Sequence, residues 1–554
     1  MVRPSARRYK QTQAKSQQGI SIVKARLNVV VIAIFIIQCS VAGAIINKAI
    51  QSRHEPQAQV KDYFAKDIRR GSIYDTNGTL LATSLKVNSL YADPKMMLDV
   101  NDAVYKLKKV LPDLDAKDLQ RKLSNKKRRF VWIKRNLSPK QAYAINSLGV
   151  PGFAFKQEYF RTYPNGSLAA HVLGYINRNG VGVAGVEKVY NEQLKAGEDV
   201  HLTINATLQS TLRETLAKQL LKTNASSAWA IALDPRDGSV LSSVSLPDYD
   251  ANFYNKASAI QWKDRTISGV YEMGSINKTY TYALGFEKGI INLNSILDAT
   301  RPIRIGKYRI RDFHGKRKWL SVVDAFKYSS NIAVSRVADE LTVEQQKEFF
   351  DKLHILEPLE YDLGQTTKPI VPEDKSWKRL KKMTLSYGYG LATTPLQSVA
   401  SLSSIGNNGY YVKPKFIKDT PTVKEKIVSD ETVSKMKRLF SATVEEGTGR
   451  RARIKGYLIG GKTGTAEVLS ESGEYNKKQN LATFIGFAPL DNPEFIVLVG
   501  VHSPQGDYRG GGSVAAPVFR EFAEKAFAIL NIRPSLYKMQ DKGQQILKTN
   551  KGEL

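Results

Sequence analysis

Apolar positions mark out a long carboxy-terminal unit. A short apolar run at 200–204 is followed by leucines at 208, 212, 216 and 220, a four-residue recurrence that predicts a strand feeding an amphipathic helix over 207–221. Two apolar segments, 228–233 and 239–245, flank Pro235-Arg236-Asp237-Gly238, a turn signal, and predict a β-hairpin. Near the other end, 457–468, 482–488 and 495–501 read as three further strands, the last two joined through Asp491-Asn492-Pro493, and 515–530 reads as a closing helix. Strands at both ends of a helical middle predict one five-stranded antiparallel sheet covered by helices, with an all-α subdomain inserted between its halves, an α/β (α+β) class. Ahead of it, 60–199 mixes short strand-like runs, basic helices and turns such as Asp75-Thr76-Asn77-Gly78 and predicts a separate α+β module.

The expected organisation is a basic arm (1–26), one transmembrane helix (27–46), a polar stalk (47–59), the α+β module (60–199), the large unit (200–530) and a loose tail (531–554). The span is long enough to cross a bilayer once, and seven Lys and Arg residues before it, without Asp or Glu, keep the amino terminus cytoplasmic. Asn47-Lys48 is a poor cleavage site, so the anchor is expected to stay attached.

Composition changes this picture little. The 554 residues carry a formal net charge of +31, spread along the chain without a nucleic-acid motif, which points to anionic lipid or wall polymers and away from nucleic acid. Cys39 is the single cysteine, so neither an intrachain disulfide nor a multi-cysteine metal site is available, and the six histidines lack metal-ligand spacing.

The candidate chemistry begins with Ser-x-x-Lys, whose side chains share a helix face. It occurs at Ser21/Lys24, Ser124/Lys127, Ser275/Lys278, Ser434/Lys437 and Ser535/Lys538. Only Ser275 follows a glycine and precedes Ile276, Tyr280, Ala283 and Leu284 at helical spacing, which predicts a helix starting at the serine, with Lys278 a base if burial lowers its pKa. Ser329-Ser330-Asn331 offers a hydroxyl and an amide. Lys462-Thr463-Gly464-Thr465, on an expected strand, offers a cation, two hydroxyls and a glycine that lets a ligand approach. Gly456 to Thr463 also fits the phosphate-loop expression, but Tyr457-Leu458-Ile459 reads as strand rather than phosphate-cradling loop.

Ser-x-x-Lys, Ser-x-Asn and Lys-Thr-Gly in this order resemble the penicillin-binding protein and serine β-lactamase superfamily. Arg70-Gly71-Ser72-Ile73-Tyr74-Asp75, Arg161-Thr162-Tyr163-Pro164, Gly185-Val186-Glu187, Ser386-Tyr387-Gly388-Tyr389-Gly390 and the Gly511 to Pro517 stretch narrow the resemblance to class B penicillin-binding proteins, most like the septal, FtsI-type branch, over about 69–530. The resemblance implies a penicillin-binding transpeptidase domain on a pedestal resembling the dimerisation domain, and a serine D,D-transpeptidase that cross-links peptidoglycan stem peptides. Its target role implies β-lactam antibiotics as ligands, and its partners would be a SEDS-family, FtsW-like glycosyltransferase and other divisome proteins. No cofactor is implied. Ser275, Lys278, Ser329, Asn331 and Lys462 would be catalytic, with Asn331 holding the substrate amide and Lys278. Thr463, Gly464 and Thr465 would bind substrate, and the backbone N–H groups of Ser275 and Thr465 would hold the oxyanion. The same motifs serve β-lactamases, carboxypeptidases and antibiotic sensors; the anchor and the pedestal argue against a compact hydrolase, the short cytoplasmic arm against a signalling receptor, and the intact Ser275, Lys278, Asn331 and Lys462 against a pure scaffold, while the septal role over an elongation-type one rests on the resemblance alone. One departure is Asn277, at a position where many relatives carry an aromatic residue.

Overall fold

The computed structural model describes residues 38–43, 69–313, 315–469, 475–506 and 509–534, with side chains placed outside 469–478. The chain divides into two compact units, 1–67 and 68–554. In the first, the described residues 38–43 are helical; the rest of the expected span at 27–46 lies outside the described residues. Among the described residues no helix is long and apolar enough to cross a membrane.

The second unit opens with a five-stranded mixed sheet. Strand β1 (Ile73–Tyr74) pairs antiparallel with the long β2 (Leu80–Ala92), which also pairs with β3 (Val131–Leu137) and β4 (Phe153–Thr162). Helices Val100–Val110 and Ala116–Ser124, each capped by an aspartate side chain, cover it over a small apolar core that includes Leu90, Leu107 and Leu123. The run expected at 200–204 is a strand only at β5 (Val200–His201), and it pairs in parallel with β1, so it completes this sheet rather than the larger one.

Three motifs of this region converge. Glu187, fully buried, accepts from Arg70 Nε (2.8 Å), Arg161 Nε (2.6 Å) and the Tyr163 hydroxyl (3.2 Å). Arg70 therefore reaches across the unit rather than holding the adjacent turn. Asp75 does: one oxygen accepts from Asn77 and Thr79 backbone N–H, and the other from Ala206 N at the start of the next helix.

That helix, α1 (Ala206–Lys222), matches the leucine recurrence and buries Leu208, Leu212 and Leu216. The second sheet has strands β6 (Ser227–Leu233), β7 (Val240–Leu246), β8 (Gly460–Leu469), β9 (Tyr475–Ala488) and β10 (Phe495–His502), in the order β8-β9-β10-β6-β7 and antiparallel throughout. It joins both ends of the unit, as the pattern predicts. Successive residues point to opposite faces: Ile496 and Leu498 pack with Trp229 and Ile231 toward the inserted helices, while Phe495, Val497 and Val499 pack with Ala230 toward α1 and the closing helix. Both faces are covered, so β10 is apolar almost throughout. The inserted elements that matter here are α2 (Lys278–Glu287), α3 (Val322–Lys327), α4 (Asn331–Glu340), α5 (Arg379–Ser386) and α6 (Asp430–Glu445); α7 (Gly511–Ile529) closes the unit.

Candidate active site

Strand β8 is an edge strand, and its free side receives the segment that carries Ser275. The α-helix does not start at the serine, as expected. Gly274–Asn277 is a 3₁₀ turn and the α-helix begins at Lys278, so Ser275 stands one turn ahead of α2. Gly274 has φ +58°, and a Cβ there would lie 2.7 Å from the Thr465 carbonyl oxygen and 3.1 Å from Thr465 N. Only glycine allows that approach, which brings the Ser275 and Thr465 backbones side by side. Gly464 meets Met273 in the same way, with a Cβ position 2.4 Å from its carbonyl oxygen.

Lys278 Nζ is buried, 2.8 Å from Ser275 Oγ, 3.0 Å from Ser329 Oγ and 2.7 Å from the Ser329 carbonyl oxygen. From the other side Lys462 Nζ donates to Ser329 Oγ (3.0 Å) and to the Thr463 carbonyl (3.2 Å). Burial, then the nearby Lys462 charge, holds the Lys278 amine well below the usual lysine range, against a weaker pull upward from Asp312. Burial brings Lys462 down to about 7. A neutral Lys278 fits its three neighbours: two N–H groups donate to Ser329 and a lone pair faces the Ser275 hydroxyl.

Ser329 sits between α3 and α4 with φ +60°, a left-handed conformation that costs a non-glycine residue of order 1–3 kcal/mol. The next turn is pinned. Ser330 caps α4 by accepting from Ala333 N (3.0 Å), and its hydroxyl donates to Asp312 Oδ2 (2.8 Å), while Ile332 N donates to Asp312 Oδ1 (2.9 Å). Asn331 departs from expectation: its amide donates to the Arg311 carbonyl (2.9 Å) instead of holding Lys278. As the first residue of α4 it lies past the turn, and the two oxygens of Ser329 occupy the place beside Lys278.

Thr463 is buried, with its hydroxyl 2.7 Å from that of Thr448. Thr465 is exposed at the cleft; its Oγ1 donates to the Gly464 carbonyl (2.9 Å) and accepts from Gly511 N (3.2 Å) at the start of α7. Helix α7 begins earlier than 515 because Gly511 lets it settle on β8 and β9: a Cβ there would lie 2.4 Å from the Gly464 carbonyl and 2.1 Å from that of Thr483.

The other Ser-x-x-Lys pairs divide as follows. Ser124 ends a pedestal helix, Ser434 is exposed on α6 with Lys437 donating to the Asp491 carbonyl, and Ser21 and Ser535 lie outside the described residues. The phosphate-loop match also fails, though not because 457–459 is strand; β8 begins at Gly460, and Lys462 is buried inside it with no helix following.

The family described as "Penicillin binding protein transpeptidase domain" matches residues 228–524, more than half of the chain. This chain belongs to the penicillin-binding protein transpeptidases. A second family, "Penicillin-binding Protein dimerisation domain", matches residues 66–219. The chain is 30% identical to a probable peptidoglycan D,D-transpeptidase FtsI of Caulobacter vibrioides, covering 84% of this chain and 82% of that protein. It is 28% identical to peptidoglycan D,D-transpeptidase FtsI of Escherichia coli K12, covering 87% of each. The crystal structure of a peptidoglycan synthetase from Bifidobacterium adolescentis shares the fold at TM-score 0.66 and 22% identity, covering 84% of this chain and 96% of that one.

Two residues in this cluster, Asp312 and Thr448, escape a motif reading, while Gly388 belongs to the Ser386 to Gly390 stretch without its partner being legible there. It has φ +99°, and a Cβ there would lie 1.9 Å from the Gly274 carbonyl.

Proposed function

We propose that the chain is an FtsI-type serine D,D-transpeptidase that cross-links peptidoglycan stem peptides at the division septum through an acyl-enzyme on Ser275, and that β-lactams acylate the same serine. The observation that carries this reading is the convergence of Lys278 and Lys462 on Ser329 Oγ, with Ser275 Oγ 2.8 Å from a lysine whose pKa burial lowers.

Ser275 Oγ attacks the carbonyl between the two terminal D-alanines, and Lys278 takes its proton. The backbone N–H groups of Ser275 and Thr465, adjacent across Gly274, receive the developing oxyanion, usually the largest electrostatic contribution in such reactions. The Lys278–Ser329–Lys462 chain returns a proton to the departing D-alanine amine. Thr463 and Thr465, with Gly464 clearing the way, take the terminal carboxylate. Asn331 reaches the substrate amide once it leaves the Arg311 carbonyl. An amine of a second stem then attacks the ester and frees Ser275.

Residues 60–199 serve as pedestal and 200–530 as the transpeptidase domain, with 531–554 a tail. Residues 27–46 anchor the protein once in the inner membrane, arm inside and catalytic domain in the periplasm, beside an FtsW-like SEDS glycosyltransferase and other divisome proteins. The test is in two parts. The purified full-length chain should release D-alanine from a donor pentapeptide and form a cross-linked product with an acceptor amine; hydrolysis alone would make it a carboxypeptidase. In growing cells, fluorescent penicillin bound to it should gather at the septum; uniform lateral labelling would overturn the septal role.

A further inference from the structure

Beside the nucleophile, on the side of the inserted helices, lies a cleft of about 590 Å³. Its walls are the short ribbon Tyr308–Ile310, helix α5 and the glycine-rich stretch that follows it. Three cations, Arg309, Lys378 and Lys381, and three aromatic rings, Tyr308, Tyr387 and Tyr389, line it. Among the described residues none of the three cations forms an ion pair. Of the acidic groups nearby, Asp374 pairs with Lys347 and Asp339 with Arg379, while Glu272 accepts from Gly390 N and Glu467 stands against Tyr389 at the strand end of the cleft. A basic cleft with aromatic walls suits a partly apolar ligand carrying carboxylates.

Its position says which ligand. Gly390 closes the floor, and Gly388 in the same stretch packs on the Gly274 carbonyl, one residue before Ser275. The ribbon wall leads directly into Arg311, whose carbonyl holds Asn331, and Asp312, which holds Ser330. Tyr389 faces Glu467, two residues past Thr465 on the same strand. A peptide lying along the open edge of β8, with its terminal carboxylate at Thr463, reaches Glu467 after four strand residues, about 13 Å. Its upstream residues then arrive at Tyr389 and the cations beyond.

We propose that this cleft is an anionic subsite for the donor stem: Arg309, Lys378 and Lys381 bind carboxylates that the stem carries upstream of its terminal D-alanine pair. The inference rests on the transpeptidase reading and adds a preference to it, for donors whose upstream carboxylates are free over donors in which they are amidated.

The test uses the full-length chain in detergent and two synthetic donor pentapeptides, identical except that one has its upstream carboxylates amidated. The native chain should favour the free acid by about tenfold in kcat/KM, mostly through KM, the effect of roughly one charge-assisted contact. In Arg309→Gln/Lys378→Gln/Lys381→Gln that ratio should fall to near one, with lost turnover on the free acid and little change on the amide. Lys378→Glu alone, on an exposed side chain, should reduce the ratio in a variant with no reason to misfold, and Lys381→Arg should keep it. A native chain indifferent to amidation, or a triple variant with the native ratio, overturns the subsite and leaves the transpeptidase intact. Failure of penicillin to acylate Ser275 in the native chain overturns the transpeptidase reading itself, and the subsite with it.

Discussion

Two lysines share one hydroxyl in this site and both are fully buried, so they cannot both hold a proton cheaply. The pH profile of penicillin acylation should therefore rise as Lys278 loses its proton, and its acid limb can be moved in either direction. Lys462→Gln removes the positive charge that depresses Lys278, so the limb should move to higher pH. Asp312→Asn removes the negative charge that raises it, so the limb should move to lower pH, with a reduced maximum because the amide cannot hold both Ser330 and Ile332 as the carboxylate does. Stopped-flow acylation between pH 5 and 9, a range of roughly two units either side of neutral, reads both shifts; limbs that stay put, or move the opposite way, would remove Lys278 as the titrating base. Lys278→Arg should slow acylation by about 10²–10⁴-fold, the usual worth of a general base. At this scale the sequence was informative where chemistry is local. Ser275 and Lys278 share a turn, and the glycine at 464 signals a close approach, which the structure gives to the Met273 backbone. It was silent on Asp312 and Thr448, whose partners are set by how α4 and β8 come to rest, and it put Asn331 beside Lys278 rather than on the Arg311 carbonyl because residue order does not reveal which way a helix's first side chain points.

Among the elements, the pedestal turns on one carboxylate. Glu187 sits fully buried between two guanidinium groups, so Glu187→Gln leaves two cations buried without their counter-charge and should cost about 3–5 kcal/mol. Urea unfolding, read as a fall in midpoint, measures it; a change under ~0.5 kcal/mol, the range of an ordinary surface substitution, would mean that the network is looser than its geometry. The three motifs that meet there were visible separately, but nothing local joins residues more than 100 positions apart. Periodicity placed α1, the β6–β7 hairpin and β10 well, since each has a regular apolar face or a turn signal. It extended β8 three residues too far toward the amino terminus, through an apolar stretch in which Ile459 is buried and Tyr457 and Leu458 half-buried without strand pairing. It also started α7 late, because Gly511 and Gly512 look like a helix terminator and instead serve close packing on β8 and β9.

For the whole molecule, the five-stranded sheet was legible because both faces are covered and strands from the two ends of the unit are all strongly apolar. The pairing order β8-β9-β10-β6-β7 puts the Lys-Thr-Gly strand on an edge, and that edge is what exposes it to Ser275 and, in the proposed mechanism, to a substrate strand. Topology is the next expectation: a protease added outside spheroplasts should digest the large domain and spare the basic arm, whereas recovery of a soluble chain lacking the first 46 residues or so would contradict an uncleaved anchor. The most direct test of the whole account is the site of acylation. Full-length protein treated with penicillin, digested and mapped by mass spectrometry should carry one adduct, on the peptide containing Ser275, and Ser275→Ala should carry none. An adduct on Ser434 or any other serine, or a native protein that takes up no penicillin, would contradict it.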